Sequence, residues 1–346
     1  MADLAPQFCQ HVLEARAAGT PLYIRGGDSK RDLLGRECAA TPLDVAGHRG
    51  IVDYQPAELF ITARAGTLLT ELSAALDDEN QLLPFEPPTF GGRATVGGTL
   101  ACNLSGPARP WQGSVRDATL GVRLITGSGE HLCYGGQVVK NVAGYDVSRL
   151  QAGALGTLGL VTEVSLKVVP KPELSLTLSQ SMDAEEALRI MRQRAGEPRP
   201  LTGAAWLEGR LFLRLAGAAS AVRHTAQHWG GDICDEAESP WEDLRELSLP
   251  WFAGTGPLWR QSTLATAPLA RGEAGVLDWG GALRWWRGNP PPAETGSAGW
   301  LLFSGGDRRD EVRPAVSEVG RRLQKRLKQA FDPAAIFNPG RLYSWM

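Results

Sequence analysis

Three glycine-rich turns are the part of this sequence best suited to chemistry. The first is Arg25-Gly26-Gly27-Asp28-Ser29-Lys30, the second surrounds Thr95-Val96-Gly97-Gly98, and the third runs from Gly153 to Gly159. Glycine lets backbone N–H groups approach a ligand, and consecutive N–H groups in a turn bind anions, with Arg25 as a phosphate partner in the first turn. Taken alone, each turn is explained as well by a tight reversal or a bulge. Together they predict one cradle for a large phosphate-bearing cofactor.

Other classes of protein are disfavoured by what the sequence lacks. The first turn does not have the GxxxxGK[ST] spacing of a Walker A loop, and no GxGxxG joins a strand to a helix early in the chain. The net charge of −2 gives no electrostatic case for nucleic acid. The five cysteines include no CxxC pair, so an iron–sulfur cluster or structural zinc site is not expected. No apolar run reaches the ~18 residues that span a bilayer, and no signal-peptide core is present. The scattered, odd-numbered cysteines fit a reducing cytoplasm, which is the predicted location.

The composition changes along the chain. Up to about residue 170, short strands alternate with glycine turns and with one helix that Thr67 is expected to cap. Pro170-Lys171-Pro172 is the sharpest boundary, and ten of the eleven tryptophans lie after residue 200. We therefore predict divisions at 1–172, 173–309 and 310–346.

Three features of the C-terminal half need an interpretation. A basic helix is expected from about Asp310 to Ala330; its cations suit anionic lipid or an acidic partner, although a solvated face is favoured. The tryptophans are predicted to form the core of a cap, with protein contact as the alternative. The stretch Trp285–Gly299 is rich in proline and glycine and is predicted to be a loop.

From about Pro21 to Pro172 the chain resembles the flavoproteins of the vanillyl-alcohol oxidase / p-cresol methylhydroxylase (PCMH-type) superfamily. The resemblance rests on the order of its motifs: YQPAELFITARAGTLLTEL at 54–72, ATVGGTLACNLSGP at 94–107, GSVRDATLGVRLITGSGE at 113–130, VVKNVAGYDVSRL at 138–150 and GTLGLVTEVSLKVVP at 156–170. The closing FDPAAIFNPGRLY at 331–343 resembles the C-terminal signature of FAD-linked oxidases. Within the superfamily, KNVAGYD and the short length are most similar to the FAD-binding subunits of bacterial glycolate oxidases.

This resemblance implies an α+β fold in which FAD lies extended between two α+β subdomains within 1–172. A Trp-rich cap built on an antiparallel sheet with helices would follow, and the segment 310–346 would return to the flavin. The pyrophosphate is expected in the first two turns, the adenosine half along the third, and the ribityl chain and flavin near Ser114 and Asn141. The residues implied in cofactor binding are Arg25, Gly26, Gly27, Asp28, Ser29, Thr95, Gly97, Gly98, Ser114, Asn141, Gly153, Gly156, Val161 and Asn338.

Two departures from the family pattern shape these expectations. Members that attach FAD covalently often carry His in the first loop; this loop holds Asp28 and no His, so non-covalent FAD is expected. The metal-binding GHxGDGNxH-like segment of the catalytic 2-hydroxy-acid dehydrogenases is absent from the sequence. His224 and His228 have an i, i+4 spacing that can bind metal, but a solvated helix face is favoured and no metal site is expected. The catalytic residues stay unassigned.

The resemblance implies an FAD-dependent oxidoreductase. The leading expectation is a subunit of a glycolate oxidase complex, which oxidises glycolate to glyoxylate with a catalytic FAD subunit and an iron–sulfur subunit. The complex would act on a small 2-hydroxy acid and could associate peripherally with the inner face of the cytoplasmic membrane. Two alternatives stay open. One is a self-sufficient 2-hydroxy-acid dehydrogenase whose substrate carboxylate is held by Arg260, Arg284 or Arg287; the other is a scaffold subunit that keeps the FAD fold without turnover.

Overall fold

The computed structural model describes residues 2–137, 145–235, 239–269, 275–288, 291 and 299–346. These residues form a two-stranded parallel sheet, a five-stranded sheet, an eight-stranded sheet and a short two-stranded ribbon, with helices packed between and upon them. The α+β class predicted from the sequence is confirmed. The divisions at residues 172 and 309 stay predictions.

The chain begins with a small subdomain that holds the first glycine turn. Helix α1 (Ala5–Ala18) ends at Gly19, whose φ of 63° is left-handed. Strand β1 (Leu22–Arg25) pairs in parallel with β2 (Thr41–Asp44). The backbone N–H and carbonyl of Leu22 bond to Ile336 and Asn338 of the C-terminal tail. The first turn therefore leaves a strand that is fixed on both sides.

A five-stranded antiparallel sheet forms the second subdomain, in the spatial order β3-β4-β8-β6-β7. These strands are β3 (Ile51–Gln55), β4 (Phe60–Arg64), β6 (Thr119–Ile125), β7 (His131–Gly135) and β8 (Leu160–Lys167), while β5 (Gln81–Leu82) pairs with β9 (Val169–Pro170). Its helices are α2 (Leu69–Asp78), α3 (Val96–Cys102), α4 (Arg109–Gln112), α5 (Val115–Ala118) and α6 (Val147–Leu150). The apolar side of α2 and α3 packs with the sheet into one core, which includes Ile61, Leu69, Leu72, Phe85, Leu100 and Val164.

The third unit is an eight-stranded antiparallel sheet in the order β13-β10-β12-β11-β15-β16-β14-β17. Its strands are β10 (Leu174–Ser181), β11 (Leu201–Leu207), β12 (Arg210–Gly217), β13 (Asp232–Ile233), β14 (Leu258–Ser262), β15 (Val276–Asp278), β16 (Leu283–Arg287) and β17 (Leu301–Ser304). Its helices are α7 (Ala184–Ala195), α8 (Ala219–Trp229) and α9 (Trp241–Glu246). We call residues 174–304 the cap; its antiparallel sheet agrees with the sequence-based expectation.

The cap shares a hydrophobic core with the preceding subdomains. Trp241, Trp279 and Trp285 are buried in one cluster with Leu34 and Leu104 from the N-terminal part of the chain. The indole N–H of Trp279 donates to the carbonyl of Gly106 at 2.9 Å. This joint core holds the cap against the turns that bear the candidate site.

The C-terminal helix α10 (Glu318–Phe331) leads into the tail through a buried ion pair. The Lys328 ammonium donates to Asp332 Oδ2 at 2.8 Å and to the carbonyls of Thr157 and Phe337. The Asp332 carboxylate in turn accepts the N–H groups of Ile336 and Phe337. None of the described helices is long and apolar enough to cross a membrane.

Three local predictions were wrong. Leu68, rather than Thr67, is the N-cap of α2, because the Thr67 hydroxyl is bonded to the backbone N–H and carbonyl of Gly50. The basic helix begins at Glu318, behind a Ser317 cap, rather than near Asp310; Pro314, which has no N–H donor, precedes it. Residues 285–287 were expected in a loop but complete strand β16, where they pair with β14.

Candidate cofactor site

A cleft beside the first glycine turn encloses about 850 Å³, including the space that opens to solvent. Its walls come from strand β1, the start of α3, the third glycine turn and the C-terminal tail. The structure therefore brings together segments that are distant in sequence. The predicted residues that line this cleft are Arg25, Gly26, Gly27, Asp28, Ser29, Thr95, Gly97, Gly98, Gly156, Val161 and Asn338.

The first turn presents a run of free backbone donors. The N–H groups of the five residues from Gly26 to Lys30 donate to no acceptor in the described part of the chain. Asp28 has a left-handed φ of 51°, and its side chain accepts a hydrogen bond from the Tyr23 hydroxyl at 3.1 Å. Consecutive N–H groups in such a turn form a concave site for an anion. The arrangement fits the diphosphate of a dinucleotide cofactor.

Lys30 adds a buried positive charge to this cleft. Its side chain is nearly inaccessible, and its ammonium donates to the Ser29 hydroxyl at 3.3 Å and lies 5.4 Å from the centre of the Phe90 ring. Within the described residues no carboxylate forms an ion pair with Lys30, and burial lowers the pKa of its ammonium. Glu246 lies near enough to favour the charged ammonium but does not bond to it, and a buried cation without a bonded partner is unfavourable until an anion binds. Sequence reasoning did not single out Lys30 as a ligand; its place at the end of the first turn was the available signal.

The second turn supplies shape rather than free donors. The N–H of Gly97 donates to the carbonyl of Ala65 at 2.8 Å, and that of Gly98 donates to the Thr95 hydroxyl at 3.2 Å. A Cβ on Gly97 would stand 2.7 Å from the Cβ of Ala65. The N–H groups of Gly97 and Gly98 are thus already bonded within the chain, and binding of the diphosphate at these two turns stays a prediction.

Asn338 ties the tail to two walls of the cleft. Its Oδ1 accepts the N–H of Ile24 at 2.8 Å, and its Nδ2 donates to the carbonyl of Leu155 at 2.6 Å. Gly156 has a φ of 71° and a Cβ there would meet Asn338 Nδ2 at 2.7 Å, so this contact requires glycine. The Asn338 side chain thus positions the first and third turns.

Ser114 and Gly153, two further predicted residues, lie outside the cleft wall. The Ser114 hydroxyl donates to Asp117 within the capping box of α5 and does not line the cleft. Gly153 also lies outside its wall, where its N–H donates to the carbonyl of Leu100 at 3.0 Å. Asn141, with most of KNVAGYD, is outside the described residues. Arg25 is at the cleft but its guanidinium pairs with Asp44 at 3.0 Å.

The histidines give no sign of a metal site. His224 and His228 are both exposed on α8. In the part of the chain that the structure describes, no three His, Cys, Asp or Glu side chains gather where they could hold a metal ion.

Comparisons with known proteins identify the family. The FAD binding domain matches residues 6–134, and the C-terminal domain of FAD linked oxidases matches residues 304–342. Glycolate oxidase subunit GlcE from Escherichia coli (strain K12) is 43% identical over 350 residues, which cover 99% of this chain and 98% of that protein. The chain belongs to the GlcE family. It is therefore an FAD-linked oxidoreductase with FAD as its cofactor, and the resemblance drawn from its motifs is confirmed.

More distant relatives of this GlcE-family chain share a little over a third of its length. Glycolate oxidase subunit GlcD from Bacillus subtilis (strain 168) is 34% identical over 37% of this chain and 27% of that protein. D-lactate dehydrogenase from Anaerostipes hadrus is 34% identical over 37% of this chain and 26% of that protein. The fold also matches a solved structure of alkyldihydroxyacetonephosphate synthase. The match covers 96% of this chain and 74% of the synthase chain, with 13% sequence identity and a TM-score of 0.65. That likeness shows a common fold.

Proposed function

We propose that this chain is the FAD-binding subunit of a glycolate oxidase complex, which oxidises glycolate to glyoxylate together with a catalytic flavin subunit and an iron–sulfur subunit. The observation that carries the proposal is its 43% identity with a glycolate oxidase subunit along essentially the whole of both chains. The free N–H groups of residues 26–30 support the FAD-binding part of the proposal independently, because consecutive free donors in a turn suit an anion such as the FAD diphosphate.

In this proposal the diphosphate of FAD binds to the five N–H groups from Gly26 to Lys30 and to the Lys30 ammonium. Apolar side chains of the cleft, among them Ile24, Val45 and Val161, exclude water from the remainder of the cofactor. Bound FAD supplies the two-electron redox chemistry that amino-acid side chains do not provide. The first loop contains no His, so we keep the prediction that FAD is held without a covalent bond.

The division of labour within the complex is tested by purifying the chain alone and with its co-expressed partners. The FAD-loaded chain alone is expected to turn over glycolate slowly or not at all with an artificial dye as acceptor. Activity should appear when the catalytic and iron–sulfur subunits are added. The basis is the absence from the sequence of the metal-binding His segment, since a metal would assist loss of the hydroxyl proton. Turnover by the chain alone that equals the complex would contradict this division.

A self-sufficient 2-hydroxy-acid dehydrogenase is the second candidate. One observation favours it: of the three cap arginines named as carboxylate ligands, Arg260 borders a small pocket between the cap and the preceding subdomains. Arg284 and Arg287 instead donate to backbone carbonyls, those of Pro268 and Gly256 among them. The dye assay described above distinguishes the two candidates, because only a self-sufficient dehydrogenase would oxidise glycolate without the other subunits.

A further inference from the structure

Arg341, in the C-terminal tail, reaches the end of the first glycine turn. Its side chain is buried and lines the cofactor cleft. Its Nη2 donates to the carbonyls of Lys30 and Leu33, each at 3.3 Å, and to that of Arg31. Its Nη1 donates to the carbonyl of Arg36. One guanidinium therefore binds four backbone carbonyls where the first turn ends.

The surroundings of Arg341 leave its positive charge available to the cleft. A Cβ on Gly35 would stand 2.7 Å from Arg341 Nε, so glycine at position 35 gives the guanidinium room. Across the described ranges no carboxylate forms an ion pair with Arg341, and its bonded partners are carbonyl oxygens. Burial raises the pKa of the Cys102 thiol in the cleft wall, and the charges of Lys30 and Arg341 oppose that rise. The positive potential of both side chains thus extends to the cleft wall.

The bond from Arg341 acts on the turn through two peptide groups. In a planar trans peptide group the C=O and the N–H point in opposite directions. The Lys30 carbonyl accepts from Arg341, and the N–H of the same peptide group, that of Arg31, donates to the carbonyl of Asp28 at 3.4 Å. The peptide group of the Asp28 carbonyl carries the N–H of Ser29, which has no acceptor among the described residues. The direction of this free donor therefore depends on the bond that Arg341 makes.

We propose that Arg341 is a positioning residue of the FAD site, which fixes the end of the first turn so that the N–H groups of residues 26–30 are aimed together at the diphosphate. The proposal rests on the proposed placement of the FAD diphosphate at this turn. Ordering a loop on binding lowers affinity, and donors that are already held in place avoid that loss. The planar fork of a guanidinium suits this task, because it bonds several oxygens in a fixed geometry.

The test compares two ligands that differ by the diphosphate. ADP and adenosine are titrated as competitors of FAD for the full chain, with flavin fluorescence as the signal. Wild type should bind ADP at least about a hundredfold more tightly than adenosine, the equivalent of two charged hydrogen bonds, because only ADP offers a diphosphate to the turn. Arg341→Gln should weaken FAD binding and reduce the preference for ADP by about tenfold, the equivalent of one such bond.

Arg36→Gln is the matched control. The Arg36 guanidinium donates to the carbonyls of Gly340 at 2.9 Å and Asp310 at 3.0 Å. The variant therefore removes an arginine–carbonyl contact from the same tail without removing a bond to the turn. Both variants should lower the melting temperature, but Arg36→Gln should keep the wild-type preference for ADP. A purely structural role of Arg341 would change the affinities for ADP and adenosine by the same factor.

The outcomes distinguish this proposal from the proposed function. An unchanged preference for ADP in Arg341→Gln overturns the role of Arg341 and leaves the diphosphate site in place. A wild type that binds FAD but does not prefer ADP overturns the diphosphate site, and this proposal with it. If Arg341→Gln is insoluble, Arg341→Lys replaces it, since lysine keeps the charge but lacks the planar fork. An unchanged preference for ADP in that variant would equally overturn the positioning role.

Discussion

Gly27 and Arg93 hold the first and second glycine turns in backbone contact: a Cβ placed on Gly27 would stand 1.7 Å from the carbonyl oxygen of Arg93. No real Cβ contact is that short, so the two turns must separate if residue 27 acquires a side chain. The free N–H groups of residues 26–30 are displaced with them.

Gly27→Ala should therefore strongly reduce FAD binding and lower the melting temperature of the FAD-free protein. The measurement is FAD affinity by fluorescence titration, with thermal unfolding of the same samples. Gly136→Ala is the control, because among the described residues no heavy atom lies within 4 Å of a Cβ at that position. Wild-type FAD affinity in Gly27→Ala would show that the first turn does not hold the cofactor.

Lys30→Met should weaken FAD binding by at least about tenfold, since a charged hydrogen bond contributes about 1.5–3 kcal/mol. The FAD-free variant should be as stable as wild type or more stable, because it no longer buries an ammonium that has no bonded counter-charge. Arg16→Gln removes an exposed charge from α1 and serves as the control. Titration with FAD and thermal unfolding without it give the two readouts; a loss of stability with unchanged FAD affinity would assign Lys30 a purely structural role.

Asp332→Asn should lower the free energy of unfolding by about 3–5 kcal/mol, the usual result of leaving one partner of a buried ion pair uncompensated. Lys328 would keep its charge against the carbonyls of Thr157 and Phe337. Urea unfolding measures the change. The control is Asp310→Asn, at an exposed position, which should change the free energy of unfolding by less than about 0.5 kcal/mol. FAD affinity should fall as well, because the tail carries Asn338. If Asp332→Asn changes the free energy of unfolding as little as the control does, the tail packs against the domain without help from this ion pair.

Stability should depend on pH through Asp278. Burial raises its pKa to about 7 in the folded chain, above the ordinary value of 3.8, so between these values the folded state holds a proton that the unfolded state releases. The free energy of unfolding should fall as the pH rises through this window, by an amount on the order of 4 kcal/mol in total, and then level off above pH 7. Asp278→Asn should lack this component. Urea unfolding from pH 5 to pH 8 measures it, and parallel pH profiles would contradict the assignment.

The sequence predicted the cleft well where the signal is local. Gly26, Gly27 and Gly156 are needed by turns and close approaches that a side chain would block, so glycine itself marks the position. The strands around residues 51–64, 119–135 and 160–167 were visible from their alternation and their flanking turns. The order of these motifs then identified the family.

The parts that sequence reasoning missed depend on contacts between distant segments. The position of Lys30 in the first turn indicates that it lies near the cleft, but the neighbouring sequence does not show that its ammonium is enclosed beside Phe90. The N–H of Gly97 donates to the carbonyl of Ala65, thirty-two positions earlier in the chain, a packing contact that the local pattern of the second turn does not reveal. Arg260, Arg284 and Arg287 were equivalent in sequence, and only their different surroundings distinguish them.

The central claim is that residues 26–30 hold the diphosphate of FAD in the cleft beside β1. An experimental structure of the FAD-loaded chain, determined by crystallography or within the complex by electron microscopy, tests it most directly. The account predicts diphosphate oxygens within hydrogen-bond distance of the N–H groups of Gly26 to Lys30 and of the Lys30 ammonium, with no bond between the flavin and the polypeptide. A diphosphate bound elsewhere, with the N–H groups of this turn left to solvent, would contradict it.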